Sequence, residues 1–555
     1  MKKDYIIKNA AIWTADRSMP WAECVAVKDG RIDYVGAYDE NKLPVSREIV
    51  DAGGRMIMPA ILDSHIHVVT TAKTMWCFLL EQREYESIEE IMEIVKQYAE
   101  QHPKEEVPYI YAYSCPTDLM EADHADRYFM DRYVSDRPVL LCDANYHRCL
   151  VNSMMLELME IDENVPYDPS TSCNYERFDN NVPNGLIEER AHEFHHDIDK
   201  MFEKLGWYPP TEAEPETIAP LLDKLTDYGI CGVLEGYTDS EDVFIGLKKL
   251  QEQGRLNHYY HAMPLMNDID ALEDTIRTAK EWKEKYEDDQ IHIDTIKYFL
   301  DGTNELGTGA VIEPFVNDPE DFGILNMTEE DLAVVFRHLN RAKLNIQIHL
   351  VGDRAFRTAL NAVERAQKSE KECGREFTIR VTLLHCELVH PDDRRRAADL
   401  GVYINFTPVF AGGVFGDAAK QYLGEKRFNS MYAFREIIDS GAVVNFASDI
   451  VDEEGLPLAN PFLGIEVGHT RSLDDGVTVR ESKDECMTRE ELLYGYTINN
   501  ALGMGIADKA GSLEVGKMAN LCILSDNVFD VDKYKIKDIT PEIVIFEGKL
   551  VKGEF

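Results

Sequence analysis

Long apolar runs are missing from this chain, and with them the ~18–20 hydrophobic residues that a membrane-spanning helix needs. Basic charge is scarce as well: 58 Lys and Arg stand against 102 Asp and Glu, a formal charge of −44. Nucleic acid and anionic lipid surfaces both require a basic footprint, so neither is an expected partner. The acids are dispersed rather than gathered in a tail, which reads as a solvated surface. Regularly spaced cysteines are also lacking. Eleven cysteines scatter from Cys24 to Cys522 without a CxxC pattern. That argues against disulfide scaffolds and cysteine zinc clusters, and suits a reducing, cytoplasmic setting. The start, Met1 to Asn9, interrupts its apolar stretch with charge at once, so no secretory signal is expected. What remains is a soluble globular composition, 44% apolar over 555 residues, too long for one ordinary domain. A small-molecule substrate is the expected partner, and a homodimer is left open.

Against these absences, one short pattern stands out. Met56 to Leu62 is apolar and is followed by Asp63, Ser64, His65, Ile66 and His67. A run of this length reads as a buried strand. Alternate side chains on a strand share a face, so His65 and His67 project together. Two converging imidazoles form half of a transition-metal site.

The two chain ends resemble each other in kind. Tyr5–Trp13 and Cys24–Val35 read as short strands around an Asp29-Gly30 turn, and Asn520–Leu524 and Glu542–Val551 repeat the pattern around Glu547-Gly548. These ends are expected to pair into one small β-sandwich, from 1–57 and 508–555. Between them, strand-like segments alternate with amphipathic helices: Ile230–Gly236, Ile291–Leu300, Asn345–Leu350, Arg380–His385, Val402–Phe406 and Ala442–Ala447. Thr328 caps a helix carrying Leu332, Val335, Phe336 and Leu339, and another runs from Pro391 to Leu400, ending at Gly401. Units of about 35–50 residues repeated this often predict an α/β fold, a (β/α)₈ TIM-type barrel over 58–507. About 75–220 is then a long insertion after the first barrel strand. Ser87 and Glu90 predict a capping box opening a helix within it.

Reactive groups of such barrels stand at the carboxyl ends of strands. Candidate ligands fall there one strand at a time: His65 and His67, Lys297, His349, His385 and Asp449. Four neutral imidazoles and two anionic oxygen donors suit two divalent ions of the zinc class. Lysine becomes an oxygen donor only as its carbamate. Carboxylation by carbon dioxide needs the neutral amine, which burial favours. A carboxylated Lys297 could bridge metals ~3.5–4 Å apart that share a hydroxide, whose parent water has its pKa lowered towards ~7.

With these residues assembled, the chain resembles the amidohydrolase superfamily, in the amidohydrolase-3 branch that includes N-substituted formamide deformylases. The matching stretches are Asp63–His67, Gly185–Glu189, Lys297–Thr303, His349–Ala355, Leu384–Val389, Ala447–Asp449, Tyr496–Asn499 and Gly511–Lys517. The resemblance implies the barrel, the flanking sandwich and metal-dependent hydrolysis. It also implies that His65, His67 and Asp449 hold one metal and His349 and His385 the other, with carboxylated Lys297 between. Ala60 and Asn520 depart from the family's usual glycine and aspartate, and Asp143–Ser153 matches only in part. Hydrolysis of a carbon–nitrogen bond is the leading expectation, with Asp449 as general base and then acid. His147 is a candidate donor to the substrate oxygen; Asp301, Glu189 and Trp207 are candidates for lining the pocket. A hydratase, isomerase or decarboxylase on the same barrel is the alternative, because barrel and ligands do not dictate the reaction.

Overall fold

The computed structural model describes residues 4–39, 41, 43, 48–81, 83–120, 124–143, 148–165, 174–188, 191–412, 417–474, 477–478 and 483–555. The chain divides into two compact units, Met1–Thr71 with Glu212–Phe555, and Ala72–Thr211. Among the described residues, no helix is long and apolar enough to cross a membrane.

The first unit holds two parallel sheets. One runs in the order Ile291–His292, Tyr259–His261, Ile230–Glu235, Ile61–Ile66; the other runs Thr295–Phe299, Asn345–Leu350, Val381–His385, Tyr403–Phe406, Val444–Phe446. The strands are nearly all buried, as expected where crossover helices cover a parallel sheet. Register places Lys297 opposite Gln347, Phe299 opposite His349 and Leu350 opposite His385. The sheets meet at both edges. Lys297 donates its backbone N–H to Pro264 (3.0 Å) and accepts from Met266 (2.9 Å), while Asp449 donates to His65 O (2.9 Å) and His67 to Ile450 O (3.0 Å). Asn500 reinforces the second edge: its fully buried amide donates to Leu62 O (2.5 Å) and Phe446 O (2.7 Å) and accepts from Phe446 N (3.0 Å).

Helices lie between these strands. Glu329–Ala342 starts at Thr328, whose hydroxyl accepts the Asp331 N–H (3.2 Å), and buries Leu332, Val335, Phe336 and Leu339. Two local expectations change. The strand expected over Ile291–Leu300 is divided, because Ile293 gives its N–H to the Glu287 carboxylate (3.2 Å) and the Asp294 carboxylate binds Arg380 (3.0 Å) and Asn345 (3.1 Å). The helix expected from Pro391 begins only at Arg396, because buried Asp393 turns the chain first, holding Arg396 and Arg357, both at 2.8 Å.

The chain ends supply a four-stranded sheet (Arg31–Gly36, Cys24–Lys28, Tyr5–Lys8, Glu48–Asp51) and a six-stranded one that pairs Met56–Pro59 with Leu521–Leu524. Both contribute to one apolar cluster that includes Ile7, Val25, Ile57, Leu521 and Ile545. Asp29-Gly30 (φ 51°, 84°) and Glu547-Gly548 (φ 47°, 74°) are left-handed pairs, as a type I′ hairpin turn requires. The division expected at 57/58 falls inside the Met56–Pro59 strand, which pairs with the terminal sheet.

The second unit is built on a mixed six-stranded sheet ordered Asn174–Arg177, Pro183–Glu188, Arg148–Val151, Val139–Asp143, Ile110–Cys115, Phe78–Leu79. One face packs with helix Ile88–Gln101; the other carries an aromatic layer with Tyr109, Tyr113 and Phe202. Ser87 caps that helix, accepting from Glu90 N (3.4 Å). The capping box is only half formed: the Glu90 carboxylate turns to Glu86 N (2.9 Å) and Arg83 (2.7 Å).

Candidate metal centre

Alternation along Ile61–Ile66 puts Asp63 and His65 on one face, and His67 follows one residue past the strand. Lys297 sits within its strand, His349 lies next to the end of its own, and His385 closes the following one. Asp449 comes just after Val444–Phe446. His385 (φ 67°) and Asp449 (φ 54°) both adopt the left-handed conformation. Such residues cost of the order of 1–3 kcal/mol each and persist where surrounding structure fixes them. Here the fixing contact for Asp449 is its N–H bond to His65 O.

All six side chains line one cavity of about 390 Å³, together with Phe299, Val351, Phe410 and Val451, and with Glu305, Glu387 and Tyr432. Asp449 stands among three of the imidazoles. Its Oδ1 lies 3.4 Å from His65 Nε2 and 3.5 Å from His67 Nε2, and its Oδ2 lies 3.5 Å from His385 Nδ1. These separations exceed the 2.7–3.2 Å of a good N–H···O bond. They match instead the roughly 3.3–3.4 Å edge of a tetrahedron of ligands ~2.0–2.1 Å from a zinc-class ion. The donor set of His65, His67 and Asp449 therefore fits a divalent metal, and their ligand atoms lie within 4.8 Å of one another. Lys297 Nζ stands 3.2 Å from His65 Nε2, and the rings of His349 and His385 lie 4.6 Å apart.

Burial sets the protonation states. It lowers Lys297 to about 7, against the opposing pull of Asp449. Burial, then the Lys297 charge, holds His65 well below its ordinary value; burial and His385 do the same to His349; burial takes His385 down to about 4. Neutral imidazoles are the form that binds metal. Burial alone would raise the Asp449 carboxyl, but His385, His67 and His65 outweigh it and hold it well below its ordinary value.

A second layer orients these groups. His349 Nε2 donates to Gly302 O (2.9 Å), which puts its proton there and its lone pair on Nδ1. Asp63 accepts the N–H groups of His65 (3.2 Å) and Ser448 (3.2 Å), thereby holding both ligand-bearing segments. Glu235 accepts from the Tyr260 hydroxyl and from Val69 N (3.4 Å), next to His67. A Cβ on Gly236 would meet the His67 ring at 2.4 Å, so only glycine leaves that imidazole its place. Burial lifts Asp63 to about 7 and Glu235 to about 8.

Asp301 is buried with its carboxylate accepting three backbone N–H groups, from Val351 (3.0 Å), Ala310 (2.9 Å) and Gly352 (2.9 Å). It stands 4.0 Å behind His349 Nε2 and supports the cavity rather than lining it. Trp207 belongs to the second unit, against Trp76, Tyr109 and Phe202. His147 and Glu189 lie outside the described residues. Sequence reasoning gave no role to Asp63, Glu235, Glu387 or Tyr432. The available signal was a carboxylate on the inner face, or at the end, of an otherwise apolar strand, as at Asp63 and Glu235.

The model of the amidohydrolase family matches residues 48–552. The chain belongs to that family. It is 23% identical to an N-substituted formamide deformylase of Arthrobacter pascens over 97% of this chain and 96% of that one. It is 24% identical to the exoenzymes regulatory protein AepA of Pectobacterium carotovorum subsp. carotovorum, over 80% of this chain and 94% of that one. An uncharacterized metal-dependent hydrolase from Pyrococcus furiosus shares the fold with a TM-score of 0.71 at 24% identity, covering 96% and 100% of the two chains.

Proposed function

We propose that this chain is a divalent-metal hydrolase that cleaves a carbon–nitrogen bond in a small non-peptide amide, formamide or other N-acyl compound. The observation that carries the reading is one half-buried carboxylate, Asp449, ringed by three imidazoles at 3.4–3.5 Å on the wall of a cavity of substrate size. The similarity to a formamide deformylase over nearly the whole chain supports the bond type. The two parallel sheets, joined at both edges by backbone hydrogen bonds, support a single (β/α)₈ barrel. The two terminal sheets around one cluster support the β-sandwich beside it.

His65, His67 and Asp449 would hold one ion, and His349 and His385 a second, with carboxylated Lys297 between; the mixed nitrogen and oxygen donors suit zinc. When bound, such ions polarise a carbonyl and lower the pKa of water. Asp449 takes one proton from the attacking water as its oxygen bonds to the acyl carbon. It returns that proton to the nitrogen as the C–N bond breaks, leaving amine and acid. Phe299, Phe410 and Val451 give the cavity beside Asp449 an apolar wall. The cysteines, dispersed along the sequence without a CxxC pattern, support a cytoplasmic location.

The test is a panel of N-formyl and N-acyl amines assayed for released amine, with and without prior metal chelation. Release that chelation abolishes and zinc restores is expected. Full activity in metal-stripped protein overturns the reading.

A further inference from the structure

In the second unit, strands Val139–Asp143 and Arg148–Val151 pair antiparallel with Cys142 directly opposite Cys149. The two Sγ atoms lie 3.6 Å apart, the Cys149 thiol donating to Cys142. Cys142 is buried in the layer that holds Tyr109, Tyr113 and Leu140, whereas Cys149 keeps part of its surface exposed. Opposed residues of an antiparallel pair point to the same face with Cα atoms ~4.5–5.5 Å apart. That lies inside the ~4.4–6.8 Å range of disulfides, so closure needs the sulfurs to approach by roughly 1.5 Å while the strands keep their pairing.

We propose that Cys142 and Cys149 form a redox-active dithiol, a modification site that a low-molecular-weight disulfide converts into a cross-strand bond. Cys149, the less buried of the two residues, attacks as its thiolate. It bonds to one sulfur of the reagent, breaks that S–S bond and releases one thiol after protonation. Cys142 then loses its proton to solvent and attacks Cys149 Sγ, expelling the second thiol. Two protein thiols are oxidised and one disulfide is reduced to two thiols. The hydrogen bond that the Cys149 thiol donates to Cys142, together with burial, keeps that thiol well above its ordinary pKa. Exchange is therefore slow at neutral pH and quickens by up to about tenfold per pH unit as thiolate accumulates. The bond would fasten the last rung of a hairpin flanked by strands Ile110–Cys115 and Pro183–Glu188.

The experiment treats the purified full-length protein with glutathione disulfide at pH 8.5, followed by acid quenching, intact mass and non-reducing peptide mapping. Loss of two hydrogens and a Cys142–Cys149 linked peptide are expected, with a raised unfolding midpoint that reductant reverses. Cys142→Ser should accumulate one glutathione on Cys149, and Cys149→Ser should leave Cys142 unmodified. A stable glutathione adduct on Cys149 of the unsubstituted protein overturns the proposal. So does a link through Cys77 or Cys115, or full alkylation of both thiols after oxidation. These three readings use the unsubstituted protein and do not depend on the variants folding.

Discussion

Lys297 offers the sharpest test of the candidate centre. Its strand places the amine in a fully buried position 3.2 Å from His65 Nε2, and burial lowers its pKa to about 7. An ordinary lysine amine, at ~10.4, is neutral at pH 7 in about one molecule in 2,500; at a pKa of about 7 the neutral share is about one half. The amine able to add carbon dioxide is thus enriched roughly a thousandfold by position alone. Metal-depleted protein reloaded with zinc should take up metal faster with bicarbonate than without it. The gain should grow as pH rises through 7 and level off above about 8, as the amine becomes fully neutral. Lys297→Met should end with about one ion per chain where the unsubstituted protein ends with two, measured by elemental analysis after gel filtration. The same shift makes a second, metal-free prediction. Between pH 7 and about 10 the unfolded chain binds a proton that the folded chain does not, so stability of the apo-protein should rise with pH there, by up to about 1.4 kcal/mol per unit. Two ions per chain in Lys297→Met, or loading indifferent to both bicarbonate and pH, would refute the reasoning.

Other consequences can be checked separately. Asp63→Ala frees the N–H groups of His65 and Ser448, and should weaken metal affinity about 10- to 100-fold with unchanged far-ultraviolet circular dichroism. Asn500→Ala strips partners from the buried Leu62 and Phe446 backbone groups; a loss of about 3 kcal/mol is expected in urea unfolding. Glu370, buried and bound by Arg375 (2.5 Å), with Arg337 and Arg341 nearby, has its carboxyl held down to about 2. It contributes stability above its ordinary ~4.3, and that contribution fades as pH falls towards 2. Glu370→Gln should therefore lower the unfolding midpoint at pH 7 and match the unsubstituted protein near pH 2.

Much of this was legible in the sequence because its signals are local. Two-residue alternation predicted the face that His65 and His67 share, although the strand expected over Met56–Leu62 divides into Met56–Pro59 and Ile61–Ile66 in separate sheets, and the order of donors from His65 to Asp449 followed from counting strands. The Asp29-Gly30 and Glu547-Gly548 turns are likewise decided by their own backbone preferences. The features that were not legible depend on distant partners. Nothing near Ile293 announces that Glu287 and Arg380 will divide its strand. The left-handed backbone at His385 and Asp449 runs against intrinsic preference and is imposed from outside. Asp301 looked like a pocket residue from its place beside a strand end, but three amides from two other segments claim its carboxylate. Glu90 was matched to Ser87 by spacing, whereas Arg83 and Glu86 N attract it more strongly.

The backbone bond from Asp449 to His65 joins the opening strand of the inner sheets to their closing one. Ligands split between those strands cannot meet until nearly the whole polypeptide has been threaded into place. A nascent or truncated chain would display several of the donors yet lack the pocket that gathers them. Tight loading with metal would then certify that synthesis and folding have both reached completion.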